Sequence, residues 1–348
     1  MSCLRRALSL CAVFGLVAAA PANTRLHRRA ALPDYAITYA PWTYLYSGEA
    51  YFPSDIATHL ANVIPEVNYT PLGARASVTV DTLNTYNSSV YLTAADTPSN
   101  NPAWITSGYG KPDSNGVSGA PGTIIAVEKN STTTDVFYFH FYSYNYGGKV
   151  IGINFDDHVG DWEHVMVIRF VSGVPYAIYL SEHSAGSAYY WNVMTFNGKR
   201  PITYVGNGGH ANYATAGKQE YTIAAGIVAD TTDAGTPWDM TKNYRGYWYD
   251  ASSGTFSIAG GASAGGEEEA GETADWLLWQ GAWGDQQYPS SYPGQYCIFG
   301  ECHYVSGPTG PVAKNLGRTT VCQNDDSCTI FTNINDLTTQ AKKREVDL

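Results

Sequence analysis

The sequence predicts an all-β fold: an antiparallel β-sandwich or jelly-roll-like single domain with long loops and one or two short helices. Three observations carry this. The 348 residues include 27 Tyr among many Thr, Val and Ile, types that fit a pleated, half-buried surface. Gly 35 and Pro 17 supply turns and work against long helices. Hydrophobic residues make up 44% and charged residues only 15%, which excludes a disordered, collagen-like or coiled-coil chain and provides a sizeable core.

The elements follow in chain order. Arg5 and Arg6 precede an apolar run, Ala7 to Ala20, too short to span a bilayer. Ala20-Pro21-Ala22 offers the small residues of a signal-peptidase site, so residues 1–22 read as a secretory signal. The dibasic pair Arg28-Arg29 makes 23–29 a short pro-segment and leaves 30–348 as the β-rich domain. The formal charge is −11. Residues 1–29 hold five arginines and no acid, so the mature chain carries 15 basic against 31 acidic residues, a net −16. A nucleic-acid backbone is excluded as a partner on that ground. No other apolar stretch is long enough to span a membrane, and Lys342-Lys343-Arg344 near the end argues against a lipid anchor. The expected product is a secreted monomer, with the vacuole lumen as the alternative location.

A helix is expected over Ser54 to Val63, with Ser54 capping the first turn and Ile56, Leu60 and Val63 at helical spacing. Strands are expected at Asp135 to Tyr144, Trp162 to Phe170, Val174 to Ser181 and Ile202 to Val205, with a tight hairpin turn at Ser172-Gly173. The stretch Ile258 to Gly266, followed by Glu267-Glu268-Glu269, reads as a mobile surface loop, and Ile334 to Lys343 as a second helix. Asn68, Asn87 and Asn130 head glycosylation sequons. Cys297, Cys302, Cys322 and Cys328 fall within one 32-residue window. They suggest two disulfides with three possible connectivities, tying 297–328 into a closed unit. A zinc site is the competing reading, but the spacings make a poor finger pattern.

Two patterns carry chemistry. Along Val136 to Tyr144, Phe137, Phe139 and Phe141 point one way, as core, and Tyr138, His140, Tyr142 and Tyr144 the other. That second face is either a ligand-binding groove stacking on sugar rings or a wetter second core layer. In Asp156-Asp157-His158-Val159-Gly160-Asp161-Trp162-Glu163-His164, a strand starting at Asp161 puts Asp161 and Glu163 on one face, about 6.6 to 7 Å apart at Cα. His158, in the preceding loop, could swing over the same point at Gly160, so the three could hold one divalent cation (Mg²⁺, Ca²⁺, Mn²⁺ or Zn²⁺). Trp162 and His164 would pack inside. His183 and His210, each beside a flexible turn, are the candidate further ligands.

Several motifs in the same order resemble the vacuolar protein sorting-associated protein 62 family. They are Tyr39-Ala40-Pro41, Tyr51-Phe52-Pro53-Ser54-Asp55-Ile56, His158 to His164, Gly209-His210-Ala211-Asn212-Tyr213-Ala214, Asp233-Ala234-Gly235 and Trp283-Gly284-Asp285. The family name implies a link to protein delivery to the vacuole rather than a reaction, and this chain departs from it by its signal and the Glu267 to Glu269 insertion. The run Asp157 to Glu163 is locally similar to the Gly-His-Arg-His-Asp-Trp-Glu motif of secreted necrosis-inducing proteins. In those proteins the outer His, Asp and Glu bind a divalent cation near a glycolipid headgroup. Here His158, Asp161, Trp162 and Glu163 agree, while Asp157, Val159 and Gly160 differ.

Three functions are therefore expected to compete. The first is a secreted glycoprotein whose metal-centred cleft binds a glycan or glycolipid. The second is a metal-dependent polysaccharide hydrolase or lyase with Glu163 or His210 as base. The third is a factor in delivery to the vacuole. The chain has no His-Glu-x-x-His or Gly-rich phosphate loop.

Overall fold

The computed structural model describes residues 31–150, 152–183, 185–223, 226–263, 274–298, 300–324 and 328–336. The expected signal and pro-segment, the Glu267 to Glu269 insertion and most of the expected C-terminal helix lie outside these residues.

Alternation builds one large sheet from β1 (Gly122–Glu128), β2 (Thr133–Asn145), β3 (His158–Val171), β4 (Val174–Glu182), β5 (Ala185–Tyr190), β6 (Tyr244–Asp250), β7 (Thr255–Ala262) and β8 (Ile330–Phe331). Its order is β7-β6-β1-β2-β3-β4-β5-β8, with β6/β1 and β5/β8 parallel and the other pairs antiparallel. Ser172 and Gly173, at φ +51° and +77°, make the β3–β4 turn, the left-handed pair that matches strand twist in a two-residue hairpin. A second sheet, built from Trp42–Leu45, Phe196–Asn197, Arg200–Val205, Asn212–Tyr213 and Thr236–Trp238, makes this a two-layer β fold.

Both faces of the large sheet are buried. Phe137, Phe139, Phe141 and Trp162 enter one core, with Leu60, Leu92, Trp276, Trp279 and Trp283 from the loops that cover it. Val136, Tyr138, Ile168 and Ile178 enter the other, with Leu45, Val205 and Trp238 of the second sheet. Every residue of β2 from Thr134 to Asn145 is buried. The Tyr/His face of β2 is thus a second core layer and not an open groove, because a second sheet lies over it.

Other expectations shift with local chemistry. After a short first helix, α1 (Asp34–Thr38), the expected helix is only α2 (Ile56–Leu60), and Asp55 rather than Ser54 caps it, accepting from the Ala57 and Thr58 amides. A carboxylate at this position also meets the positive end of the helix. Residues 258–262, expected in a loop, extend β7. Asn68, Asn87 and Asn130 are exposed, as sequon acceptors must be.

The cysteines pair locally, Cys297 with Cys302 and Cys322 with Cys328, five and six residues apart. They close two small loops and leave 303–321 outside any covalent ring. Loops of this size stabilise by about 2 kcal/mol each through the unfolded chain. Thiol titration of denatured, unreduced protein should find none of these four thiols free, and reduction should lower the unfolding midpoint accordingly. Four free thiols would refute the pairing.

Candidate functional site

The site is assembled at the end of the β2/β3 pair. Register sets Tyr142 opposite Asp161 and His140 opposite Glu163, so the carboxylates share a face with the Tyr/His side of β2. Gly160 makes the close approach possible. It has φ +64°, and a Cβ there would lie 2.1 Å from the Trp283 carbonyl oxygen. The contact is reciprocal, since a Cβ on Gly284 would lie 1.7 Å from the Val159 carbonyl oxygen.

His210 arrives on the 206–211 loop with φ +56° and is fully buried. Its Nδ1 donates to Asp161 Oδ2 at 2.9 Å and its Nε2 to the Tyr51 carbonyl at 3.1 Å. Both ring nitrogens face acceptors, so the ring is held as an imidazolium. Burial pulls its pKa down, but the Asp161 hydrogen bond and the charges of Glu49, Asp161 and Glu163 raise it overall. Tyr142 stacks flat on this cation, 3.6 Å between centroids and 5° between planes. Glu49 fixes the loop, accepting from the Gly208 amide at 2.9 Å and from the amides of Ala50 and Tyr51.

A second imidazole lies nearby. His183 donates from Nε2 to Asp230 Oδ2 at 2.8 Å, and the Tyr213 hydroxyl donates to the same oxygen at 2.6 Å. Burial opposes the charged form of His183, yet Asp230, with Glu163 and Asp156, pushes its pKa up to about 9. Glu163 differs from these paired groups. Its Oε2 is buried with no hydrogen-bond partner among the described residues. Burial, then the Asp161 charge, pushes its carboxyl up to about 8. Lys314, His183 and His210 pull the other way without overcoming burial, so this carboxyl keeps a proton near neutral pH.

The structure brings Asp161, Glu163 and His210 together, and the charge of His183 reaches Glu163. His158 does not join them. It lies within β3 rather than in a preceding loop, in register with Asn145 on the Trp162 face, and its Nδ1 turns to the Gly160 carbonyl at 3.0 Å. Among the described residues no three His, Cys, Asp or Glu side chains are placed to hold a metal ion. The expected ligand-binding face is covered. Tyr138, His140 and Tyr142 have no exposed surface and Tyr144 only 5%. Tyr138 donates its hydroxyl to the Ala36 carbonyl at 2.7 Å, and Tyr144 donates to Asp157 Oδ2 at 2.7 Å. The sequence reading missed Glu49, Asp230 and Tyr213 as members of the cluster. Glu49 and Asp230 stand 112 and 69 residues from Asp161, so no local spacing marks them.

The chain is similar in sequence to known proteins. Residues 125–248 match the family profile described as vacuolar protein sorting-associated protein 62. The putative vacuolar protein sorting-associated protein TDA6 of Saccharomyces cerevisiae is 32% identical over 334 residues, covering 85% of this chain and 70% of that protein. Vacuolar protein sorting-associated protein 62 of the same yeast is 29% identical, covering 86% and 70%. Two solved structures show a weaker likeness. Necrosis and ethylene inducing protein 2, from the causal agent of cocoa's witches' broom disease, is 14% identical with a TM-score of 0.29, covering 55% of this chain and 72% of that one. NLPPya in complex with mannosamine is 12% identical with a TM-score of 0.28, covering 59% and 69%.

Proposed function

This chain belongs to the vacuolar protein sorting-associated protein 62 family, and we propose that it is a binding protein whose Asp161–Glu163 cluster takes a glycan through a divalent cation. One observation carries the reading: the buried, unpartnered Oε2 of Glu163 beside the Asp161 carboxylate. A buried carboxylate oxygen without a partner is costly, and a cation would remove the cost while displacing the proton. His210 is committed to Asp161 and His183 to Asp230, so the oxygens of Asp161 and Glu163 would be the protein donors. An oxygen donor set suits Mg²⁺, Ca²⁺ or Mn²⁺ better than Zn²⁺. When bound, the cation would supply open coordination positions for sugar hydroxyls. Glu163 is partly exposed and the His183 side chain is 27% exposed, so the cluster reaches the surface there. The net negative charge repels anionic ligands and favours neutral glycans or a glycolipid with a neutral head.

A second reading has its own support. A Glu163 carboxyl that stays protonated beside Asp161 has the character of the general acid in a polysaccharide hydrolase, although the separation of the pair does not choose a mechanism. His210 is unsuited to act as base, because it is fully buried and both its nitrogens donate. On location, two disulfides need an oxidising compartment, which the extracellular space and a vacuole lumen entered through the secretory route both provide. Fractionating medium from vacuoles would separate these, and a cytosolic pool with reduced cysteines would favour a delivery factor instead.

The test is metal analysis and glycan titration of the mature protein, with and without chelator, followed by product analysis on any hit. About one equivalent of cation is expected, largely removed by Asp161→Asn, and glycan affinity should fall about tenfold or more on chelation. Sugar fragments among the products would favour the hydrolase or lyase. A metal-free wild type whose melting temperature ignores added Mg²⁺, Ca²⁺, Mn²⁺ and Zn²⁺ would overturn the cation reading.

A further inference from the structure

A separate cleft of about 730 Å³ opens between the end of α2, the turn at Arg75 and the 95–104 loop. Its wall is a continuous chain of planar polar groups. The Asn62 amide donates to the Thr58 carbonyl at 2.7 Å and its oxygen accepts from Arg75 Nη2. Arg75 Nη1 reaches both Asp96 oxygens, at 3.2 and 3.1 Å, and the Trp104 indole N–H donates to Asp96 Oδ2 at 3.1 Å. Amide, guanidinium, carboxylate and indole are thus held in place before any ligand arrives, which lowers the entropy cost of binding. The loop that carries them is itself braced by a short 3₁₀ turn, Pro98–Asn100, and by Asn101 at φ +48°.

We propose that this cleft is a binding site for a neutral saccharide, independent of the Asp161–Glu163 cluster, with which it shares no residue. Arg75 and Asp96 cancel each other's charge, so the cleft offers no net attraction to an anion or a cation. What remains is hydrogen-bonding capacity of both senses. A guanidinium has five N–H donors, and the bonds to Asp96 and Asn62 leave Nε–H and others open. Asp96 has acceptor sites to spare, and the exposed Thr97 and Asn100 side chains add a hydroxyl and an amide. Adjacent donors and acceptors fit the vicinal hydroxyls of a sugar ring. Pro102, Ala103 and the part-buried Trp104 offer apolar surface for its C–H faces.

The experiment is calorimetric titration of the full chain with laminarihexaose, mannohexaose and chitohexaose, and with trigalacturonic acid as an anionic comparator. Wild type is expected to bind at least one neutral oligosaccharide and not the anionic one. Arg75→Met keeps the stem and removes the guanidinium, and should weaken that binding about tenfold. Trp104→Phe keeps a ring and removes the bond to Asp96, and should weaken it by less. Arg75 and Asp96 are 45% and 39% exposed, so Arg75→Met should leave the melting temperature nearly unchanged. Binding here should also survive chelator and Asp161→Asn. The proposal is overturned if no neutral oligosaccharide binds, if Arg75→Met leaves binding unchanged, or if chelation removes it. The last result would assign the sugar to the Asp161–Glu163 cluster instead.

Discussion

Asp135→Asn is expected to destabilise the protein by about 3 to 5 kcal/mol, the typical loss when one member of a buried ion pair is removed. The Asp135 side chain has no exposed surface and grips Arg169 in two parallel bonds, Nε to Oδ1 and Nη2 to Oδ2, both 2.7 Å. Lys129 Nζ stands 3.6 Å from the same carboxylate. Burial pulls the Lys129 ammonium down to about 8, and Asp135 works against that fall. Neutralising the single acid leaves two cations in a poorly solvated place. The loss should spread, because Arg169 also donates to the Thr319 and Thr320 carbonyls and Lys129 to the Leu316 carbonyl. These bonds hold the 316–320 segment against the sheet. Urea unfolding should show a lower midpoint with little change in slope, and protease should cut near 316–320 sooner. A loss below about 1 kcal/mol would show that the anion is dispensable.

His140→Phe is expected to be nearly neutral at pH 7 and to stabilise by about 2 to 3 kcal/mol at pH 4.5 relative to wild type. His140 is wholly buried against Trp238, 4.1 Å between centroids, and neither ring nitrogen has a partner among the described residues. Burial, then the charge of His210, lowers its pKa from 6.5 to about 3. The unfolded chain gains a proton below pH 6.5 that the native ring refuses until about pH 3. Stability therefore falls with pH across that window by about 1.4 kcal/mol per unit. Phenylalanine fills similar space and has nothing to protonate. His59, lowered to about 4 by burial, acts in the same direction. Glu163 and Asp285 act in the other, since burial raises them to about 8 and about 6, and the stability they contribute is lost as pH rises through those values. The wild-type profile mixes these groups with the raised His183 and His210, so the measured quantity is the difference between variant and wild type at each pH. A difference that does not grow between pH 7 and pH 4.5 would show that His140 is charged or solvated in the native state.

Much of the architecture was legible in local pattern. The strands 135–144, 162–170, 174–181 and 202–205 all lie within observed strands, because period-two alternation is a property of the chain itself. The Ser172-Gly173 turn followed from the two left-handed residues a tight hairpin needs. The shared face of Asp161 and Glu163 followed from strand geometry. His158 was misplaced because β3 begins earlier than expected, so the residue obeys the strand and not a loop. An irregularity between Phe137 and Tyr138 in the β2/β3 register was equally invisible, yet it lets Trp162 and Val167, five residues apart, enter the same core.

By itself, then, the sequence determined a β-rich chain, the alternation of its central strands, and an acidic-imidazole run on one of them. Those properties reside in neighbouring residues and need no distant partner. That neither face of β2 meets water was decided only when the second sheet and the 206–211 loop covered Tyr138, His140 and Tyr142. Which imidazole serves which acid was decided by chain crossings that bring Glu49 to Gly208, His210 to Asp161 and His183 to Asp230 across 159, 49 and 47 residues. Burial and pairing energies depend on these contacts between remote segments. One imidazole, His210, is a cation beside Asp161 and another, His140, is a neutral core residue beside Trp238, and only the folded chain says which.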